Sequence, residues 1–328
     1  PPLEGSLDRR NFAGLAAAFT YLLATEPLPS YAAQPLPKTF KALYADGVSN
    51  DDYRKIAKIR ELPMEAPKDD EVTVKILYAG IIAGNENMRV QGRGKNEDLK
   101  NETNGFRLGS EGCGIIVAAG KEVEEDGKFK IGDAVCFASR AGAFAEYNNV
   151  KKGYLQKIPK ATPEALAVRV TGAVPYSMLT QRLRADESKT VLITAAAGGA
   201  GHMAIQYAKN VCGSRVIAVA GTAEKAKFAK KMGADVAIDA SKGDVEAQIR
   251  KAAPEGVDCL LDSVGGESFA MGLRVLKDNG RAVVMGFTGQ YPHNSPEDIK
   301  KSIASVDFDA EELFWSGGAF LHDKGGVI

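Results

Sequence analysis

Apolar positions follow two regimes along the chain. From Lys38 to Pro159 they come in short runs. Val72–Ala79 alternates apolar and polar positions at period two, and Gly112–Val117 and Gly132–Ala138 are brief apolar stretches bounded by glycines, so this region reads as mostly β-structure. Between them Gly84–Asn104 is polar and rich in Asn and Gly, which predicts a loop. From Thr162 the pattern switches to strand–helix alternation. Strands are expected at Val191–Thr194, Val216–Ala220, Val236–Ile238, Cys259–Asp262 and Ala282–Met285. Helices are expected at Gly201–Asn210, Ala223–Met232, Val245–Ala252 and Glu267–Leu276. Such alternation builds an α/β domain, a doubly wound parallel sheet with helices on both faces and any ligand at the carboxyl ends of the strands.

A chain of 328 residues suits two domains. Lys+Arg and Asp+Glu are equal at 42 each, so no net field favours nucleic acid or an anionic membrane. The cysteines at 113, 136, 212 and 259 form no C-x-x-C and have no His at metal-ligand spacing; they read as buried free thiols rather than a zinc site or a disulfide framework. Near the N-terminus, Arg9-Arg10 precedes the apolar run Phe12–Ala24, and Ser30-Tyr31-Ala32-Ala33 offers a small-residue cleavage site. This order describes a twin-arginine export signal, as used in bacteria and in thylakoids, and the expectation drawn from it is a chloroplast, thylakoid-directed protein. The competing reading of residues 1–37 is an amphipathic docking helix on a cytoplasmic protein.

The chemistry concentrates in Val191-Leu-Ile-Thr-Ala-Ala-Ala-Gly-Gly-Ala-Gly201, where an apolar strand runs into a glycine-rich turn and then a helix. The spacing Ala195-x-x-Gly198-x-x-Gly201 is a variant of the dinucleotide fingerprint. Ala197, Gly198, Gly199, Ala200 and Gly201 would present backbone N–H groups and a helix dipole to a pyrophosphate. The second strand ends at Ala220-Gly221 without the acidic residue that an NAD enzyme uses for the ribose 2′-hydroxyl. Thr222 and Lys225 follow instead, a hydroxyl and a cation suited to the 2′-phosphate of NADP(H), or alternatively an N-cap and a solvated lysine. Asp262-Ser-Val264-Gly265-Gly266 and Gly286-Phe287 follow the fourth and fifth strands, where glycines let a nicotinamide lie close to backbone. Tyr291 stands just beyond; its phenol could donate a hydrogen bond to a developing enolate, or be structural.

These segments, with Pro254–Asp258, Gly109-Ser-Glu-Gly-Cys-Gly114 and Gly142-Ala-Phe-Ala-Glu-Tyr147, resemble the medium-chain dehydrogenase/reductase superfamily in its zinc-free quinone oxidoreductase branch. The resemblance runs from about Lys41 to Leu321. It implies a GroES-like β domain over 38–161 and a Rossmann domain over 162–328, with an NADPH-dependent reduction of an enone or a quinone in the cleft between them. It implies Lys225 at the 2′-phosphate, Tyr291 at the substrate and Phe320 among the cofactor contacts. Homodimers joined through the Rossmann sheet edge, with Gly317–Leu321 as the edge strand, are a further implication. Zinc-dependent relatives carry a cysteine and a histidine at the positions of Ile82 and Ser110, so no metal is expected. Ile82 and Asn85 depart from the family's Asn and Asp beside the cleft, and Ala240 stands where a tyrosine often supports the 2′-phosphate. Relatives also continue past the segment matching Gly318–Asp323 and return to the first domain. These departures keep a second reading open, a reductase-derived structural or regulatory subunit of a larger thylakoid assembly that holds NADP(H) without turnover.

Overall fold

The computed structural model describes residues 35–48, 55–82, 86, 105–138, 142–286, 320–323 and 326–327. Residues 1–34, and with them the twin-arginine expectation, lie outside these, as do Phe287 and Tyr291. Among the described residues no helix is long and apolar enough to cross a membrane. The chain divides into two compact units, Pro1–Val170 and Thr171–Ile328.

The first unit is antiparallel. Strands β1 (Thr39–Ala45), β2 (Ala57–Pro63) and β4 (Phe106–Arg107) form a sheet in the order β2-β1-β4. Strands β3 (Glu71–Gly80), β5 (Glu111–Ala119), β6 (Ala134–Ala138), β7 (Tyr147–Lys151) and β8 (Leu155–Lys157) form a second, in the order β7-β3-β5-β6-β8. One short helix, α1 (Lys121–Asp126), follows β5; another, α2 (Pro163–Ala167), is capped by the Thr162 hydroxyl, which accepts from the Ala165 N–H at 3.1 Å. Alternation along β5 and β6 sends Ile116, Val135 and Phe137 to one core cluster, and Cys113, Ile115, Ala134 and Cys136 to another that Leu166 of α2 covers. The period-two expectation for Val72–Ala79 is only partly met: Val72, Thr73 and Val74 are all buried, while Leu77 and Tyr78 are exposed. Val72 and Val74 pack into a core cluster while the Thr73 hydroxyl donates to Asn149 Oδ1 at 2.7 Å, and the register of β3 against β5 shifts between Thr73 and Val74 and again between Ile76 and Tyr78.

The second unit is one seven-stranded sheet. Its parallel part comprises β9 (Thr190–Ile193), β10 (Arg215–Ala220), β11 (Val236–Asp239), β12 (Val257–Asp262) and β13 (Leu276–Val284), in the order β11-β10-β9-β12-β13. This is the 3-2-1-4-5 order of the doubly wound fold. The helices are α3 (Ala173–Ser177), α4 (Gly199–Asn210), α5 (Ala223–Lys231), α6 (Val245–Ala252) and α7 (Gly266–Arg274). Ala204, Ile205 and Ala208 of α4 and Ala229 of α5 pack on one face against Val191, Ile193 and Ala218. On the other face, Ile249 of α6 and Phe269 of α7 pack against Leu192, Ile217 and Leu260. Parallel strands covered on both faces are uniformly apolar, and for that reason they stood out in the sequence.

One expectation changes here. The last helix ends at Arg274 rather than Leu276, and Leu276 already pairs with Val257 at the start of β13. The register then jumps to Cys259 against Arg281, so Lys277–Gly280 bulge out, with Asn279 at φ 62°. A polar Lys-Asp-Asn-Gly segment reads as a loop locally; only pairing with β12 makes it part of a strand. Beyond β13, β14 (Phe320–Asp323) runs antiparallel, and β15 (Gly326–Val327) pairs outside it. β15 pairs with β14 only at His322 and Asp323; Phe320 and Leu321, the described part of the segment expected as the edge, pair with β13 alone among the described residues.

Candidate functional site

The doubly wound order creates a crevice where connections leave β9 toward β10 on one side and β12 toward β13 on the other. Both loops beside that crevice carry residues singled out from the sequence. After β9 the chain turns through Ala195, a non-glycine residue held at φ 46°. The Gly198 N–H donates to the Ala195 carbonyl at 2.9 Å, and Gly198 is the N-cap of α4. Among the described residues no side chain caps this helix, so its first-turn N–H groups at Gly199, Ala200 and Gly201 are open to a ligand or solvent. Gly198 and Gly199 are exposed while Gly201 is buried. A Cβ at Gly201 would stand 2.4 Å from the Ala195 carbonyl oxygen and 2.8 Å from Ala196 Cα, so only glycine lets the helix sit this close to the turn.

Across the crevice, the β12–α7 loop is fixed by a residue that sequence reasoning had treated only as part of a glycine motif. Asp262 is fully buried. One carboxylate oxygen accepts from the Thr194 hydroxyl at 2.6 Å and from the Ser268 hydroxyl at 3.4 Å; the other accepts from the Gly265 N–H at 2.6 Å and the Val264 N–H at 3.2 Å. Thr194 in turn accepts from the Ser263 N–H at 2.9 Å. Burial pushes the Asp262 carboxyl up, and these donors oppose that rise. The network ties the end of β9 to the end of β12 and sets the loop carrying Val264 and Gly265, the latter at φ 75°. Gly286, just past β13, lies beside the Ser263 backbone. Thr194 and Asp262 lie in separate glycine motifs 68 residues apart, and neither motif says that they meet. The only local signal was an acid ending a strand ahead of two glycines.

At the end of β10, Thr222 is the N-cap of α5, its hydroxyl accepting from the Lys225 N–H at 3.3 Å. The capping alternative is thus the one its hydroxyl adopts. The Lys225 side chain is exposed and makes no ion pair among the described residues. At the end of β11, Asp239 accepts from the Ser241 N–H and hydroxyl at 3.0 and 2.6 Å and lies 3.6 Å from the Lys242 ammonium, and these contacts hold its carboxyl below the usual range. The backbone of Phe320 pairs with Val284 at the carboxyl end of β13, the same end of the sheet as the glycine turn.

The first unit has its own polar cluster. Glu86 accepts from the Ser110 hydroxyl at 2.5 Å and from the Gly109 N–H at 3.1 Å. Next to them Glu111 is buried, and burial, opposed by the Arg169 guanidinium, raises its carboxyl to about 7. A carboxyl raised in the folded state contributes stability that is fully present below its unfolded value of 4.5 and is lost as pH rises through 7. Wild type should therefore lose stability relative to Glu111→Gln between these values, by up to roughly 3 kcal/mol. Chemical denaturation of both proteins at pH 4.5 and 7.5 measures it, and a pH-independent difference would contradict the assignment.

With this geometry in view, the chain can be set beside known proteins. A family model described as zinc-binding dehydrogenase matches residues 199–308, and one described as alcohol dehydrogenase GroES-like domain matches residues 68–160. The chain is 33% identical to mouse (Mus musculus) prostaglandin reductase-3 over 271 residues, 83% of this chain and 69% of that protein. It is 30% identical to a probable quinone oxidoreductase of Leishmania amazonensis over 257 residues, 78% of this chain and 72% of that one. Among solved structures, a mycobacterial protein complexed with NADPH superposes with a TM-score of 0.66 at 27% identity, over 80% of this chain and 79% of that one.

Proposed function

The chain belongs to the medium-chain dehydrogenase/reductase superfamily, and from that premise we propose that it is an NADPH-dependent oxidoreductase reducing the activated double bond of an enone, or a quinone, by hydride transfer without zinc. The observation that carries this reading is the uncapped N-terminus of α4, set at the sheet's crevice opposite a loop that Asp262 holds rigid. Free N–H groups and a positive dipole end fit a pyrophosphate, and the close approach at Gly201 leaves backbone rather than side chains facing it.

The chemistry supplied by bound NADPH is a hydride, delivered to the β-carbon of a conjugated enone or to a quinone ring. The residues of the chain bind and orient. Gly199, Ala200 and Gly201 would hold the pyrophosphate, Val264, Gly265 and Gly286 would give the nicotinamide a backbone floor, and Lys225 would meet the 2′-phosphate at the start of α5. Phe287 and Phe320 are assigned to the same cofactor by resemblance. The Tyr291 hydroxyl is proposed to donate to the substrate oxygen as negative charge develops there. Independence of zinc rests on residue type: Ile82 and Ser110 occupy the positions where zinc-dependent relatives carry ligands, and the Ser110 hydroxyl is bonded to Glu86.

Two measurements test this. Purified protein should oxidise NADPH in the presence of a panel of enones and quinones, and tight NADPH binding without turnover on any of them would refute the enzyme reading. Removing Lys225 should separate the cofactors. Loss of one charge-assisted contact costs about 2 kcal/mol, roughly thirtyfold in affinity. Lys225→Ala should weaken NADPH by that factor and leave NADH unchanged; equal loss of both would remove Lys225 from the 2′-phosphate.

A further inference from the structure

The structure pairs two cysteines that nothing in their spacing connects. Cys113 on β5 and Cys136 on β6 are directly opposite in the antiparallel ladder. The Ile158 N–H donates to the Ala134 carbonyl, so Cys136, two residues on, also turns its backbone polar groups toward β8, where it pairs with Gln156. On the β5 side Cys136 is therefore at a non-hydrogen-bonded position. The Ile116 N–H donating to Asp133 agrees, since that pair lies an odd number of steps along the ladder from the cysteines. Opposed residues at such positions have Cα atoms about 4.5 Å apart, inside the roughly 4.4–6.8 Å that a disulfide spans.

Both side chains also leave the sheet on the same face, packed with Ile115, Ala134, Ala161 and Leu166, and the two thiols interact directly. That contact pulls the Cys113 thiol down and pushes the Cys136 thiol up. The other two cysteines differ. Cys259 donates to the Leu183 carbonyl at 3.6 Å, and its burial pushes it up to about 12; Cys212 is likewise raised by burial. Neither has a thiol facing it among the described residues.

We propose that Cys113 and Cys136 form a reversible dithiol–disulfide site in the first unit, oxidised by a peroxide. One thiol of the pair, for example Cys113, ionises and attacks one oxygen of hydrogen peroxide. The O–O bond breaks, one water leaves, and Cys113 becomes a sulfenic acid. The Cys136 sulfur then attacks the Cys113 sulfur; the S–O bond breaks and a second water carries off the oxygen with the remaining thiol proton. The two thiols lose two protons and two electrons in total, and the peroxide is reduced to two waters. A dithiol reductant reverses the step by exchange. The bond would tie β5 to β6 beneath α2, close in sequence to Ser110 and Glu111.

The test uses the full chain, reduced and then exposed as folded protein to increasing hydrogen peroxide. Remaining thiols are alkylated in denaturant, and the protein is digested without reductant and mapped by mass spectrometry. The expected product is one linked peptide pair containing Cys113 and Cys136, lighter by two hydrogens than the separate peptides. Cys212 and Cys259 should be alkylated, and all four should be alkylated after treatment with a dithiol. In Cys136→Ser the linked pair should vanish and Cys113 should accumulate as sulfenic and then sulfinic acid. Recovery of Cys113 and Cys136 as separate alkylated thiols at doses that already oxidise Cys212 would overturn the proposal. So would a link that forms only when oxidant is added to unfolded protein.

Discussion

Gly201→Ala is expected to abolish tight NADPH binding and to destabilise the second unit. The added methyl would lie 2.4 Å from the Ala195 carbonyl oxygen and under 3 Å from two atoms of the Ala196 backbone. None of these can rotate away, because Ala195 is already held at φ 46° and its carbonyl accepts the Gly198 N–H. Relief must come from moving α4 off the turn, which separates the first-turn N–H groups from the position they hold at the crevice. Overpacking costs about 1–3 kcal/mol, and at the upper end, with 1.4 kcal/mol per tenfold, the affinity should fall on the order of a hundredfold. NADPH fluorescence titration and thermal unfolding measure the two effects. Gly153→Ala, where an added Cβ meets nothing within 4 Å, is the control. Unchanged NADPH affinity in Gly201→Ala would mean that the cofactor does not use this turn.

Asp262→Ala should have the other large effect. It strips the acceptor from two hydroxyls and two backbone N–H groups in a fully buried position. Buried donors left unpaired cost about 1–3 kcal/mol each. Because the loop can relax and recover some of them, a total of about 4 kcal/mol is expected. The released loop carries Val264 and Gly265, so KM for NADPH should rise as well. Asp262→Asn separates charge from connectivity. Its carboxamide oxygen can accept from Val264 and Gly265 while its NH2 donates to Thr194, so it should restore at least half of the lost stability. If Asp262→Asn is as damaging as Asp262→Ala, the negative charge itself matters and the positioning account is wrong. Urea denaturation and NADPH kinetics on both variants decide.

How much of this was legible beforehand differs between the two sides of the crevice. On the β9 side nearly everything was local. An apolar run, a turn of small residues and a helical pattern lie in sequence order, so chain connectivity alone brings the phosphate cradle together. On the β12 side the glycines were visible, but their anchor was not. Asp262 gains its role from Thr194, which reaches it only because β12 lies against β9 in the sheet. The end of β10 was half legible: an acid-free strand end with Thr222 and Lys225 could be read, but that the hydroxyl is spent on the helix cap required the backbone.

The first unit shows the same division. Three of its strands, β3, β5 and β6, could be found from apolar runs, but the others and the order β7-β3-β5-β6-β8 could not. That order sets Cys113 against Cys136 and buries Glu111 near Arg169. The sequence by itself determined where most strands and helices of the second unit lie, the polar stretch Lys277–Gly280 within β13 excepted, and that a glycine turn would run into a helix N-terminus. Burial periodicity and the glycine turn are properties of neighbouring residues, and such properties survive in one dimension. Only the tertiary structure decided which distant polar groups meet, because strand order and register are chosen by the packing of the whole sheet and leave no mark on any single stretch of chain.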